Sequence, residues 1–69
     1  MKSIEVVVEG GGANLYEIRE YEGRFTAYKV SVNLLMSNSR RSIGTVRSLE
    51  AAITLIRSHS GREIKSMNA

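Results

Sequence analysis

Few side chains in this sequence could do chemistry, and their spacing argues against catalysis. His59 is the only histidine. It is also the one side chain that titrates near neutrality without perturbation. A general base needs a partner within hydrogen-bond reach. The nearest carboxylate along the chain, Glu63, lies beyond a helix stop signal, so His59 reads as a surface or cap residue. Glu20 and Glu22 are close together but flank a turn. An exposed turn offers no environment that would push two carboxyl pKa values apart, as paired acid–base work requires. The serines Ser37, Ser39, Ser42, Ser48, Ser58 and Ser60 are numerous, yet none lies in a Gly-x-Ser-x-Gly elbow. Cysteine and aspartate are absent. Disulfides and thiolate metal sites are thereby excluded, and no metal site is expected from His59 and glutamates alone. Gly10-Gly11-Gly12 follows a strand, as phosphate-cradling loops do. No Gly-x-Gly-x-x-Gly or Gly-Lys-Ser/Thr continues it, and the next segment reads as a strand, so the triplet is a connection. The sequence predicts no enzyme, no catalytic residue, no cofactor and no small-molecule substrate.

What is left is binding. The net charge is +3, from ten Lys and Arg against seven Glu. Its distribution is uneven: residues 1–36 hold four cations against five glutamates, and residues 37–69 hold six against two. Seven of the ten cations are arginine, the residue suited to phosphate and carboxylate forks. Arg24, Lys29, Arg40, Arg41 and Arg47 form the candidate nucleic-acid set. Tyr16, Tyr21 and Tyr28 could stack on unpaired bases, but the strand pattern buries the first and last and leaves Tyr21 at a turn. Leu34, Leu35 and Met36 form an apolar knot outside any strand or helix pattern. Such a knot marks an interface if exposed, or else closes one end of the core. Val6 to Val8 could pair with a partner's edge strand.

These residues need elements to position them. Ile4 to Glu9 reads as a strand, its three consecutive valines suggesting cover on both faces or a neighbouring strand. Leu15 to Glu22 and Arg24 to Val32 read as a hairpin. A three-residue loop, Tyr21-Glu22-Gly23, puts glycine at its left-handed last position, and a two-residue Glu22-Gly23 loop is rejected because it would mix apolar and charged residues on each face. That register sets Glu20 opposite Arg24, Ile18 opposite Thr26 and Tyr16 opposite Tyr28. It places Tyr16, Ile18, Tyr28, Val30 and Val32 on an apolar face, with Glu17, Arg19, Phe25, Ala27, Lys29 and Ser31 on a wet one. The tract from Ser37 to Ser42 is a loop by composition. Ser42 to Arg47 is a further strand, where a bulge near Gly44 would bring Ile43 and Val46 into phase. Ser48 caps a helix of about three turns, with Glu50 in its first turn and Gly61 at its end. Leu49, Ala52, Ile53 and Ile56 form the buried stripe. Arg62 to Met67 is a last strand with Ile64 inward, and Asn68 and Ala69 are expected to fray.

In its strand–strand–strand–helix order, residues 15–60 resemble plant AP2-type and integrase arm-binding domains, with Ile43-Gly44-Thr45 entering the helix-bearing segment. The resemblance implies a sheet face laid in a DNA major groove. Arg19, Arg24 and Lys29 would then meet the duplex and Arg40 and Arg41 its phosphates, while Glu17, Glu20 and Glu22 would repel that backbone. The likeness is one of element order; the dense Arg and Trp readout residues of those families are missing.

The sequence therefore predicts a single small α+β domain over residues 1–69. Its architecture is an antiparallel sheet of three to five strands with one helix in the C-terminal half packed on one face. The expected role is non-catalytic binding, with a protein partner or a second copy in a homodimer through Leu34, Leu35 and Met36. Nucleic-acid binding through the basic set and the 37–42 loop is the alternative. No apolar run approaches the roughly 18–20 residues of a membrane span, so no membrane partner is expected and the location is expected to be cytoplasmic.

Overall fold

The computed structural model describes residues 2–11, 14–31 and 39–68. Five strands and one helix follow in the order β1 (Lys2–Val8), β2 (Leu15–Tyr21), β3 (Arg24–Ser31), β4 (Ser39–Val46), α1 (Leu49–Ser60) and β5 (Ile64–Asn68). All neighbours in the sheet are antiparallel, in the spatial order β4-β3-β2-β1-β5. The helix lies on one face and carries the chain from one sheet edge to the other. This is the small α+β fold expected. No helix of the described residues is long and apolar enough to cross a membrane.

The β2–β3 hairpin differs from expectation by one residue. Tyr21 pairs with Arg24, leaving only Glu22 and Gly23 in the loop. Both have positive φ, 51° and 76°, the geometry of a type I′ turn, whose twist matches that of the strands. Glu22 accepts a conformation disfavoured for a residue with a Cβ; that acceptance was invisible in the sequence. The shift exchanges faces on β3. Ile18 pairs with Ala27, Glu20 with Phe25 and Tyr16 with Lys29. Phe25 and Ala27 therefore point toward the helix, and Tyr28 and Val30 point away from it. Phe25, assigned to the wet face by the longer loop, packs against the core.

On the helix side Val6, Val8, Tyr16, Ile18, Ala27, Ala52 and Ile56 form the buried cluster. Ile4, Phe25, Ile43, Val46, Leu49, Ile53, Leu55 and Ile64 pack around it. The helix begins and ends where its caps dictate. The Ser48 hydroxyl accepts from the Ala51 N–H at 3.1 Å, and the Gly61 N–H donates to the Arg57 carbonyl at 2.8 Å. A bulge in β4 gives Ala27 and Tyr28 the partners Gly44 and Ser42, so Ile43 is the extra residue. Both Ile43 and Val46 then reach the core. At Gly44 a Cβ would stand 2.7 Å from Leu55 Cδ2; the missing side chain lets the helix lie close on β4.

Two further expectations are corrected. Residues 39–41 of the polar tract are strand and run into the strand expected from Ser42, with Ser39, Arg40, Arg41 and Ser42 paired to Ser31, Val30, Lys29 and Tyr28. An edge strand wet on both sides has the composition of a loop, which concealed it. Asn68 does not fray but pairs with Glu5. The knot Leu34, Leu35 and Met36 lies outside the described residues, as do Val32 and Ala69.

Candidate functional site

The sheet face opposite the helix is the first candidate surface. Strand alternation brings Val7, Leu15, Glu17, Arg19, Tyr28, Val30 and Arg40 to it. Glu17 is its electrostatic centre. Its Oε2 accepts from the Ser3 hydroxyl at 2.7 Å, and its Oε1 accepts from Arg19 Nε at 2.9 Å and Arg40 Nε at 2.6 Å. Only 13% of the Glu17 side chain is exposed. Burial alone would push the carboxyl pKa up, but the three hydrogen bonds outweigh it and hold the group below its ordinary range. The Arg19 guanidinium also lies over the Tyr28 ring, 5.5 Å from its centroid. Beside this network, Thr26 and Thr45 share a hydroxyl–hydroxyl bond of 2.9 Å. Val7, Leu15 and Tyr28 are half-buried on this face, and Val30 is buried.

The five basic residues singled out from the sequence do not share one surface. Arg24 and Arg40 belong to the open face. Lys29 and Arg41 pair with each other on the helix side, because Arg40 and Arg41 are consecutive in a strand and must point oppositely. Arg47, just past β4, lines a shallow cleft with Arg24, Thr45 and Val46. The 37–42 segment contributes as strand from Ser39 onward, not as a loop. Of the tyrosines, Tyr16 is buried, Tyr21 is 63% exposed at the hairpin end, and Tyr28 lies under Arg19 rather than under the helix.

A second grouping forms at the C-terminal end of α1. The buried Tyr16 hydroxyl is 2.9 Å from His59 Nδ1, and the two rings meet edge to face at 80°. Lys29 Nζ stands 4.6 Å from the Tyr16 ring centroid. Burial raises the Tyr16 pKa, with the Arg62 charge opposing. Burial lowers that of Lys29, and the Arg62 charge lowers it further. Arg62 itself is held by the carbonyls of Glu9 and Gly11, at 3.4 and 3.2 Å. Residues 43 apart in sequence meet here, and no local pattern signals that. The only sequence clue was the position of Tyr16 on the core side of β2. Among the described residues, no three His, Cys, Asp or Glu side chains group closely enough to hold a metal ion.

No protein-family model, no curated protein and no solved structure matches this chain.

Proposed function

We propose that this domain is a non-catalytic interaction module that works as a homodimer, its two sheets packed face to face through the side away from the helix. One observation carries this reading: the open face combines apolar Val7, Leu15, Tyr28 and Val30 with a carboxylate whose charge is already met by Arg19 and Arg40. Burying an unpaired charge in an interface is costly, but a pre-paired and hydrogen-bonded one much less so. Tyr and Arg are the residue types enriched where interfaces gain their energy. The fold's longer extents are 34 and 25 Å, enough for the roughly 800 Å² that each partner gives to a standard interface. The sheet edges are poorer candidates. β4 carries Arg40 and Arg41, and β5 is short and bears Lys65, all of which oppose pairing with another strand.

Sedimentation equilibrium is expected to give twice the 7.6 kDa chain mass. Leu15→Glu and Tyr28→Glu should each yield a monomer with an unchanged far-UV circular dichroism spectrum. A wild-type chain that stays monomeric at high concentration would overturn the proposal.

Nucleic-acid binding is the second reading, supported by the presence of Arg19, Arg24 and Arg40 on one sheet face with Arg47 beside Arg24. It competes with the pairing of two of these arginines to Glu17. Random duplex DNA should then bind at low salt, with an affinity that falls steeply as salt rises. Absence of binding at low ionic strength would remove this reading.

A further inference from the structure

We propose that the hairpin end of the open sheet face is a site for one unpaired nucleotide, its base stacked on Tyr21 and its phosphate held by Arg24 and Arg47. The site goes beyond the nucleic-acid reading, because it needs no duplex and uses neither Arg19 nor Arg40. It also stands apart from the residues assigned to self-association: Val7, Leu15 and Val30 lie at the opposite end of the same strands.

Three segments bring the row together. Tyr21 closes β2 and pairs with Arg24, the first residue of β3, so their Cβ atoms lie about 5 Å apart on one face. Phe25 pairs with Val46, which brings Arg47 beside Arg24. The two arginines line one shallow cleft with Thr45 and Val46.

Stacking needs a ring open to solvent. Tyr21 supplies it at 63% exposure, whereas Tyr16 is buried and Tyr28 lies under Arg19. Phosphate binding needs cations that no carboxylate already holds. Arg19 and Arg40 are both engaged by Glu17. Arg24 and Arg47 make no ion pair or hydrogen bond through their side chains with a described residue, and no carboxylate lines their cleft. Glu22 and Glu50, the acidic residues nearest to them along the chain, pair with neither. Like charges in one cleft repel, and an anion between them relieves that repulsion. Two guanidinium forks can grip different oxygens of one phosphate, whereas a carboxylate is satisfied by a single fork. The Thr45 hydroxyl adds to them. It shares a bond with Thr26, and with Thr26 donating, the Thr45 proton is free for a phosphate oxygen.

Spacing selects a nucleotide over a bare phosphate. Adjacent strands lie about 4.8 Å apart, so the tyrosine ring and the two arginines are separated by about 5–10 Å, a gap that a sugar fills. The base must be unpaired, because only then is its flat face open to an aromatic side chain.

The test is fluorescence anisotropy of a labelled oligothymidylate at low salt, against the same strand annealed to its complement. The full chain should bind the single strand more tightly, although the duplex carries the denser charge. Tyr21→Ala should weaken binding roughly tenfold, and Tyr21→Phe should restore it. Arg24→Gln and Arg47→Gln should each weaken binding at least fivefold. Arg41→Gln removes the same charge from the helix side and should leave binding unchanged. All these positions are exposed, and circular dichroism should show each variant folded. Thymidine 5′-monophosphate that displaces the strand identifies a free nucleotide as sufficient; a strand that resists displacement identifies the chain end or loop of a longer molecule. Either supports the site. Failure to bind the single strand, equal or tighter binding of the duplex, an unaffected Tyr21→Ala, or an equal loss in Arg41→Gln would overturn it. Binding of the duplex alone would sink this site and leave the nucleic-acid reading standing. The dimer reading is judged by mass and is untouched by either result.

Discussion

Glu17 shows how far one residue's role can depart from its appearance in the chain. By sequence it is one of three glutamates on a hairpin, a charge that repels polyanions. In the fold it gathers Ser3, Arg19 and Arg40 from three strands. Neither Ser3 nor Arg40 is near it along the chain, so the network was not legible until the register was known. Its pKa is depressed on folding, so the stability it contributes is present above the ordinary carboxylate range. That contribution disappears as pH falls through the folded value. Glu17→Gln is expected to cost about 1–2 kcal/mol at neutral pH. Urea denaturation across a pH series should show the gap to wild type closing in acid. A gap that stays constant with pH would mean that packing, and not charge, is the contribution.

At the level of elements, what was legible was what is encoded locally. Ser48, Glu50 and Gly61 bracket α1 within a single stretch of chain, and its bounds are as expected. The bulge near Gly44 was legible because Ile43 and Val46 were out of phase by one residue. The hairpin register was not, because it hinged on Glu22 adopting a positive φ. Glycine preference favours the longer loop, and the demand for one apolar and one charged face argues against the two-residue loop; the structure mixes the faces instead, with Lys29 on the helix side and Val30 on the open one. The same error placed Tyr28 and Val30 under the helix and left Phe25 without an explanation. Residues 39–41 were missed because an edge strand with two wet faces shows no alternation. The scatter of the basic set follows from both: one strand hidden in a supposed loop, and one register slipped. Gly23, at φ 76°, is the turn position where a side chain should cost most. Gly23→Val is expected to destabilise the domain by about 1–2 kcal/mol. Thermal denaturation with an unchanged midpoint would show that the strands, and not the turn, set the register.

The whole molecule is a sheet roofed on one side. A chain of 69 residues buries only about 60% of the surface it exposes when unfolded, and the buried cluster here lies wholly between helix and sheet. If the open face is closed by a second copy, stability and assembly become linked. The unfolding midpoint should then rise with protein concentration. A midpoint independent of concentration over two decades would break that link.

The last strand has a consequence out of proportion to its length. β5 is five residues long, polar and mostly exposed, yet it lies along β1 and occupies the hydrogen-bonding groups beside Val6, Val7 and Val8. Without it, those valines would form a bare, uncharged sheet margin, a template on which strands from other molecules can stack into fibrils. A chain ended at Arg62 is expected to develop thioflavin fluorescence and light scattering under conditions where the full chain stays clear. In this view β5 guards the solubility of the segment that the core needs most.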